Sequence, residues 1–91
     1  MSSKAGSILP DGNPSDDPDV TVVLKMVTIL RDARIEKGLT LRDLKDKMGI
    51  SYAHLSRAER GLSHPGIVVL LRWCRALELS FEEIVKVALR R

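Results

Sequence analysis

The side chains that could do chemistry concentrate in residues 40–61, TLRDLKDKMGISYAHLSRAERG. They are hydroxyl, imidazole and guanidinium groups, and none of the hydroxyls has the spacing of a nucleophile paired with a general base. His54 and His64 are ten residues apart, with no cysteine or carboxylate at metal-site spacing. We therefore expect no enzyme activity, no cofactor and no metal. The chemistry that remains is recognition of a partner through hydrogen bonds and positive charge.

Two short helices are predicted to position these groups. Thr40 is suited to cap the first helix, with Asp43 as a weaker partner in a capping box, and Gly49 ends it in the left-handed conformation. Its apolar residues recur at three- and four-residue spacing: Leu41, Leu44 and Met48. The pattern predicts an amphipathic helix that packs one stripe of side chains against a core.

The second helix begins after Ser51 and ends before Gly61, with Leu55 and Ala58 on its inward face. A three-residue Gly-Ile-Ser turn joins the two helices, and this spacing is typical of a helix-turn-helix. The second helix of that motif fits the major groove of B-DNA. Its first turn and outward face carry the candidates for base contacts: Tyr52, Ala53, His54, Ser56 and Arg57. Nearby candidates for phosphate contacts are Arg42, Arg60, Ser63 and His64.

Composition places these helices in one small α-helical domain of a 91-residue chain. Residues 1–19 hold one lysine and four aspartates, a net charge of −3, whereas residues 20–91 hold 14 basic and 8 acidic side chains, a net charge of +6. A basic body suits a polyanionic partner. The single cysteine, Cys74, excludes an internal disulfide and favours the cytoplasm, and no apolar run is long enough for a membrane span.

The remaining segments are predicted from turn and cap residues. Residues 1–17 lack apolar periodicity and are expected to be a disordered tail, followed by a domain over residues 18–91. A first helix runs from Asp17-Pro18 to Gly38, and a fourth covers residues 67–78. Ser80 and Glu83 form a full capping box for a fifth helix.

Several linked segments together resemble the Cro/CI-type, or XRE-type, helix-turn-helix domains of phage and bacterial regulators. They are LRDAR at 30–34, KGLTLRDL at 37–44, KMGIS at 47–51, LSRAERG at 55–61 and LLRWCRALELSFEEI at 70–84. The resemblance covers about two-thirds of the chain and implies an all-α, five-helix, lambda-repressor-like DNA-binding domain. It also implies an ion pair between Arg34 and Glu59, whereas periodicity alone leaves a solvated Arg34 equally open. By position it implies base contacts by Tyr52, Ala53 and Arg57, and backbone contacts by Thr40, Ser51 and His54.

The sequence thus predicts a sequence-specific regulator of transcription that binds double-stranded DNA, a repressor rather than an activator. A single short helix reads only a half-site, so we expect a homodimer on a two-fold operator. Val87 and Leu89 fall outside the inward stripe of the fifth helix and are the candidates for the dimer interface, unless the last turn frays; the alternative interface lies around Leu62 and Val68. The rival interpretation is a helix-turn-helix fold reused as a protein–protein adaptor or antitoxin-like module. No small-molecule ligand is expected.

Overall fold

The computed structural model describes residues 17–90. That range contains five consecutive α-helices and no strand. The helices are α1 (Pro18–Glu36), α2 (Leu41–Met48), α3 (Tyr52–Glu59), α4 (Ile67–Ala76) and α5 (Phe81–Leu89). The predicted all-α, five-helix fold with a helix-turn-helix is confirmed. The predicted disordered tail lies outside the described residues, apart from Asp17, which caps α1.

Side-chain caps fix the first residues of four helices. Asp17, Thr40, Ser51 and Ser80 each accept backbone N–H bonds from the first turn that follows them. The capping box at the start of α2, predicted to be the weaker of the two boxes, is complete. Thr40 Oγ1 accepts from the Asp43 amide at 3.1 Å, and Asp43 Oδ2 accepts from the Thr40 amide at 3.0 Å. The prediction of a full box at the start of α5 is wrong. There only the Ser80 hydroxyl bond forms, at 3.2 Å, and the Glu83 carboxylate turns towards Lys86 instead.

Three helices end with the same pair of backbone hydrogen bonds. In α1, α3 and α4 the two residues after the C-cap donate their amides back to carbonyls of the last turn, which is the Schellman arrangement. It requires a left-handed residue, supplied in the first two cases by glycine and at the end of α4 by Glu78, with φ of 58°. The prediction that α4 continues to residue 78 is therefore wrong, because the helix ends at Ala76.

The core lies where the five helices meet, and the inward faces of α2 and α3 pack against it. Its largest fully buried side chains come from all but one helix and from the α4 C-cap: Leu30, Leu44, Leu55, Trp73 and Leu77. Helix α1 packs against α5 and α3, while α4 packs against α2 and α5. Because α2 and α3 each place at least two residues in this core, their outward faces are held in a fixed relation. No helix within residues 17–90 has both the length and the apolarity to cross a membrane.

Candidate nucleic-acid interface

Helix α3 presents a polar face to solvent and a narrow apolar face to the core. Leu55 and Ala58 are completely buried, which turns the opposite side of the helix outwards. The predicted base-reading residues Tyr52, Ala53 and Arg57 are all exposed, and Tyr52 keeps 41% of its surface. His54, the other candidate for a base contact on the first turn, is exposed as well, whereas Ser56 is half-buried. Four of the five candidates are thus accessible to a partner, and Ser56 is less so.

The two cap hydroxyls predicted to meet phosphate are already hydrogen-bond acceptors in the free protein. Thr40 Oγ1 accepts from the Asp43 amide, and Ser51 Oγ accepts from the His54 amide at 3.0 Å. A hydroxyl that accepts in this way keeps its own hydrogen to donate. Both caps are exposed and stand at the positive ends of helix dipoles. His54 is exposed in the first turn of α3, beside the Ser51 cap.

The other predicted phosphate contacts surround α3. Arg42, Arg60 and His64 are exposed, whereas Ser63 is half-buried. Arg60 Nε donates to the Ser56 carbonyl at 3.3 Å. The ion pairs found within residues 17–90 involve none of the three arginines of this surface, Arg42, Arg57 and Arg60. Their positive charge is therefore not neutralised by a neighbouring carboxylate in that part of the chain.

A nearly buried ion pair ties α3 to α1. Arg34 Nε and one terminal nitrogen donate to the two Glu59 carboxylate oxygens at 2.8 and 2.7 Å, while its other nitrogen donates to the Leu39 carbonyl at 2.7 Å. Only 13% of the Arg34 side chain and 6% of the Glu59 side chain are exposed. The hydrogen bonds to Glu59 raise the pKa of Arg34 above its ordinary value. Three elements, α1, the loop before α2 and the end of α3, are thereby joined at one guanidinium.

Within the helix-turn-helix, the Asp43 carboxylate also has a shifted pKa. Its hydrogen bonds with the Thr40 amide and then with the Thr40 hydroxyl lower the pKa of Asp43 below its ordinary value. Away from the interface, burial raises the pKa of the Cys74 thiol, which is free and lies in the core. No group of three or more metal-binding side chains occurs between residues 17 and 90.

Two features of the structure were not predicted from the sequence. The Arg42 guanidinium lies over the Tyr52 ring, 4.8 Å from its centroid, and no spacing rule signals such a contact between two helices. The second feature is the extent of the exposed apolar surface around Leu62 and Val68, the predicted alternative interface. Ile67 and Leu71 are exposed as well, and the four side chains keep 43–57% of their surface. Periodicity could have found the α4 members, because they fall outside the inward face formed by Leu70, Trp73, Cys74 and Leu77.

Comparison with known proteins places this geometry in a family. A family model described as helix-turn-helix matches residues 30–84, and the chain belongs to that family. The predicted Cro/CI-type (XRE-type) resemblance is thereby confirmed.

Among curated relatives, Transcriptional regulator ClgR of Mycobacterium tuberculosis (strain CDC 1551 / Oshkosh) is 37% identical over 57 residues, which are 63% of this chain and 51% of the relative. The Uncharacterized HTH-type transcriptional regulator y4dJ of Sinorhizobium fredii (strain NBRC 101917 / NGR234) is 38% identical over 52 residues, 57% of this chain and 68% of that protein. The chain spans about half the length of ClgR.

Proposed function

We propose that this chain is a transcriptional regulator that binds double-stranded DNA sequence-specifically, with α3 in the major groove. The observation that carries the proposal is the outward face of α3, where Tyr52, Ala53 and Arg57 are exposed on a helix locked by its core residues. Arg42 on α2 and Arg60 after α3 flank that face, and neither has a carboxylate partner among residues 17–90. The family membership and the names of the relatives support the same function.

Each exposed side chain of α3 suits one kind of base contact. Arg57 can donate two hydrogen bonds to O6 and N7 of guanine, the commonest specific pairing. Tyr52 offers a hydroxyl and a ring edge, Ala53 offers a methyl group for the thymine methyl, and Ser56 a hydroxyl at a less accessible position. We assign the phosphate contacts to the caps and surrounding donors, which would fix the register on the duplex. These are Thr40, Arg42, Ser51, His54, Arg60, Ser63 and His64.

The salt dependence of duplex binding tests this function. A site selected from a random duplex pool is labelled, and its affinity for the protein is measured by fluorescence anisotropy at several salt concentrations. With Arg42 and Arg60 on phosphate in each of two subunits, the slope of log K against log salt should be roughly −4. Lys86→Ala removes a charge from α5, away from α3, and should leave the slope unchanged. An absence of duplex binding at low salt would refute the proposal.

We further propose a homodimer on a two-fold operator, with Val87 and Leu89 in the subunit contact. These two side chains are 43% and 60% exposed at the end of α5. Beside them an apolar cavity of about 370 Å³ opens between α1 and α5, lined in part by Leu24 and Ile29. A self-complementary contact along this edge would cover both the side chains and the cavity.

Two matched double variants locate the contact by sedimentation. Val87→Asp with Leu89→Asp should shift the protein towards monomer and weaken full-operator binding more than half-site binding. Leu62→Asp with Val68→Asp places the same charges on the other exposed apolar surface and should leave a dimer. The reverse result moves the interface to α4 and the loop before it.

A second candidate function is that of a protein–protein adaptor, and the exposed apolar side chains of α4 favour it. Ile67, Val68 and Leu71 lie on one side of the helix and would be covered by a protein partner but not by phosphate. An adaptor would show no salt-sensitive duplex binding, so the same titration separates the two functions.

As a regulator in the cytoplasm, the protein would act as a repressor by occupying its operator. A reporter gene carrying the selected site should be transcribed less when the protein is present and recover with Arg57→Ala. Increased transcription would identify an activator instead.

A further inference from the structure

The stacked pair of Arg42 and Tyr52 joins the two helices of the helix-turn-helix on their outer surface. Arg42 is the second residue of α2 and Tyr52 the first residue of α3. The guanidinium carbon is 4.8 Å from the ring centroid, which is within the range of about 6 Å for a cation–π contact. Because Tyr52 remains 41% exposed, the contact covers one ring face and leaves the rest of the side chain accessible.

The arginine keeps its hydrogen-bonding capacity while it stacks. Within residues 17–90, Arg42 has no carboxylate partner and its side chain makes no hydrogen bond. Guanidinium N–H groups lie in the plane of the group, so stacking uses the face and leaves the donors at the rim. The same side chain is therefore able to hold the Tyr52 ring and donate to a phosphate at once.

We propose that Arg42 is a positioning residue: by holding the Tyr52 ring in one orientation, it increases the preference of the protein for the base sequence that Tyr52 contacts. The stack restricts rotation of the ring before DNA binds, so less side-chain freedom is lost when the ring meets a base edge. This inference rests on the proposed DNA-binding function and deepens it: readout by α3 depends on a side chain of α2. A simple phosphate contact would instead add affinity for every duplex alike.

Nuclear magnetic resonance tests the stack without DNA. Tyr52 is the only tyrosine of the chain, so a ring-current shift of the Arg42 methylene protons that is caused by a tyrosine can be assigned to Tyr52. These protons should be shifted upfield in the wild type and in Tyr52→Phe, which keeps a ring. The shift should vanish in Tyr52→Leu. Unshifted Arg42 protons in the wild-type protein overturn the proposal.

Binding measurements at one salt concentration test the effect on specificity. Arg42→Lys keeps the charge but loses the planar group, so affinity for a scrambled duplex should stay within about twofold. Affinity for the preferred site should fall about two- to fivefold, the size of an exposed cation–π contact. Arg60→Lys is the matched control, because Arg60 lies on the same surface and bonds the Ser56 carbonyl instead of a ring. That variant should leave the ratio of the two affinities unchanged.

The double variant separates positioning from phosphate binding. In the Tyr52→Leu background, Arg42→Lys should cause no further loss of specificity, since no ring remains to position. An equal loss in both backgrounds, or equal weakening on both duplexes, makes Arg42 a phosphate contact only and overturns the proposal. If the wild type binds no duplex at low salt, the proposed function fails together with this inference. The methylene shift then still reports the stack, so this failure is distinguishable from the absence of stacking.

Discussion

Replacing Glu59 with glutamine tests how α3 is held against α1. The substitution removes the charge but keeps one carbonyl oxygen, and it leaves the Arg34 guanidinium, only 13% exposed, without a counterion. Breaking a buried pair costs about 3–5 kcal/mol, mostly because the remaining charge is unpaired. Arg34 keeps its hydrogen bond to the Leu39 carbonyl, so we expect the lower end, about 3 kcal/mol. For a domain of this size, at about 4–8 °C per kcal/mol, the melting temperature should fall by about 12–24 °C.

Urea unfolding followed by tryptophan fluorescence measures the loss, because Trp73 is the only tryptophan and is completely buried. The control is Arg31→Ala: Arg31 lies 3.9 Å from the same carboxylate but is 56% exposed, so its loss should cost below about 1 kcal/mol. A double-mutant cycle with Arg34→Met then isolates the pair. If Glu59→Gln costs the same with or without Arg34, the two side chains are not coupled and the reasoning is refuted.

The remaining predictions concern specificity, acid stability and thiol reactivity. Arg57→Ala should weaken binding to the preferred site by about 1–3 kcal/mol and affect a scrambled duplex much less, as measured by anisotropy; equal losses would make Arg57 a phosphate contact. The folded-state pKa of Asp43 is lowered, so its stabilising contribution is complete above the ordinary aspartate pKa of about 4 and is lost as the pH falls through the lower folded-state pKa. The difference in melting temperature between the wild type and Asp43→Asn should therefore shrink from pH 6 to pH 2, and a constant difference would contradict this. Cys74 is buried and its thiol pKa is raised, so a thiol reagent should react with it far more slowly in the native protein than in urea, as followed by absorbance; equal rates would mean that the core is open.

Local signals in the sequence were sufficient for most of the fold. Thr40, Ser51 and Gly49 mark the bounds of α2 and α3 because capping depends on residues close together in the chain. The end of α4 was missed because Glu78 occupies a left-handed position that glycine normally marks. The incomplete box at Ser80 was missed for a different reason, since an exposed glutamate chooses among several partners.

The outward face of α3 was also predictable, since Leu55 and Ala58 fix which side of the helix is buried. The stack between Arg42 and Tyr52 was not, because it depends on the angle between two helices and on the rotamer of a long side chain. Bonding of the Arg34 guanidinium to the Leu39 carbonyl depends in the same way on three-dimensional placement.

The left-handed Glu78 leads us to expect that the end of α4 opens more easily than the two similar helix ends, where glycine holds that position. A side chain in this conformation costs about 1 kcal/mol relative to glycine, and local opening releases that strain. The Leu79 amide, bonded to the Cys74 carbonyl at 2.8 Å, should exchange with deuterium about fivefold faster than the Leu39 amide, which is bonded to the Arg34 carbonyl after a glycine. Faster exchange at Leu79 would place the weakest of the three helix ends at the junction between α4 and α5.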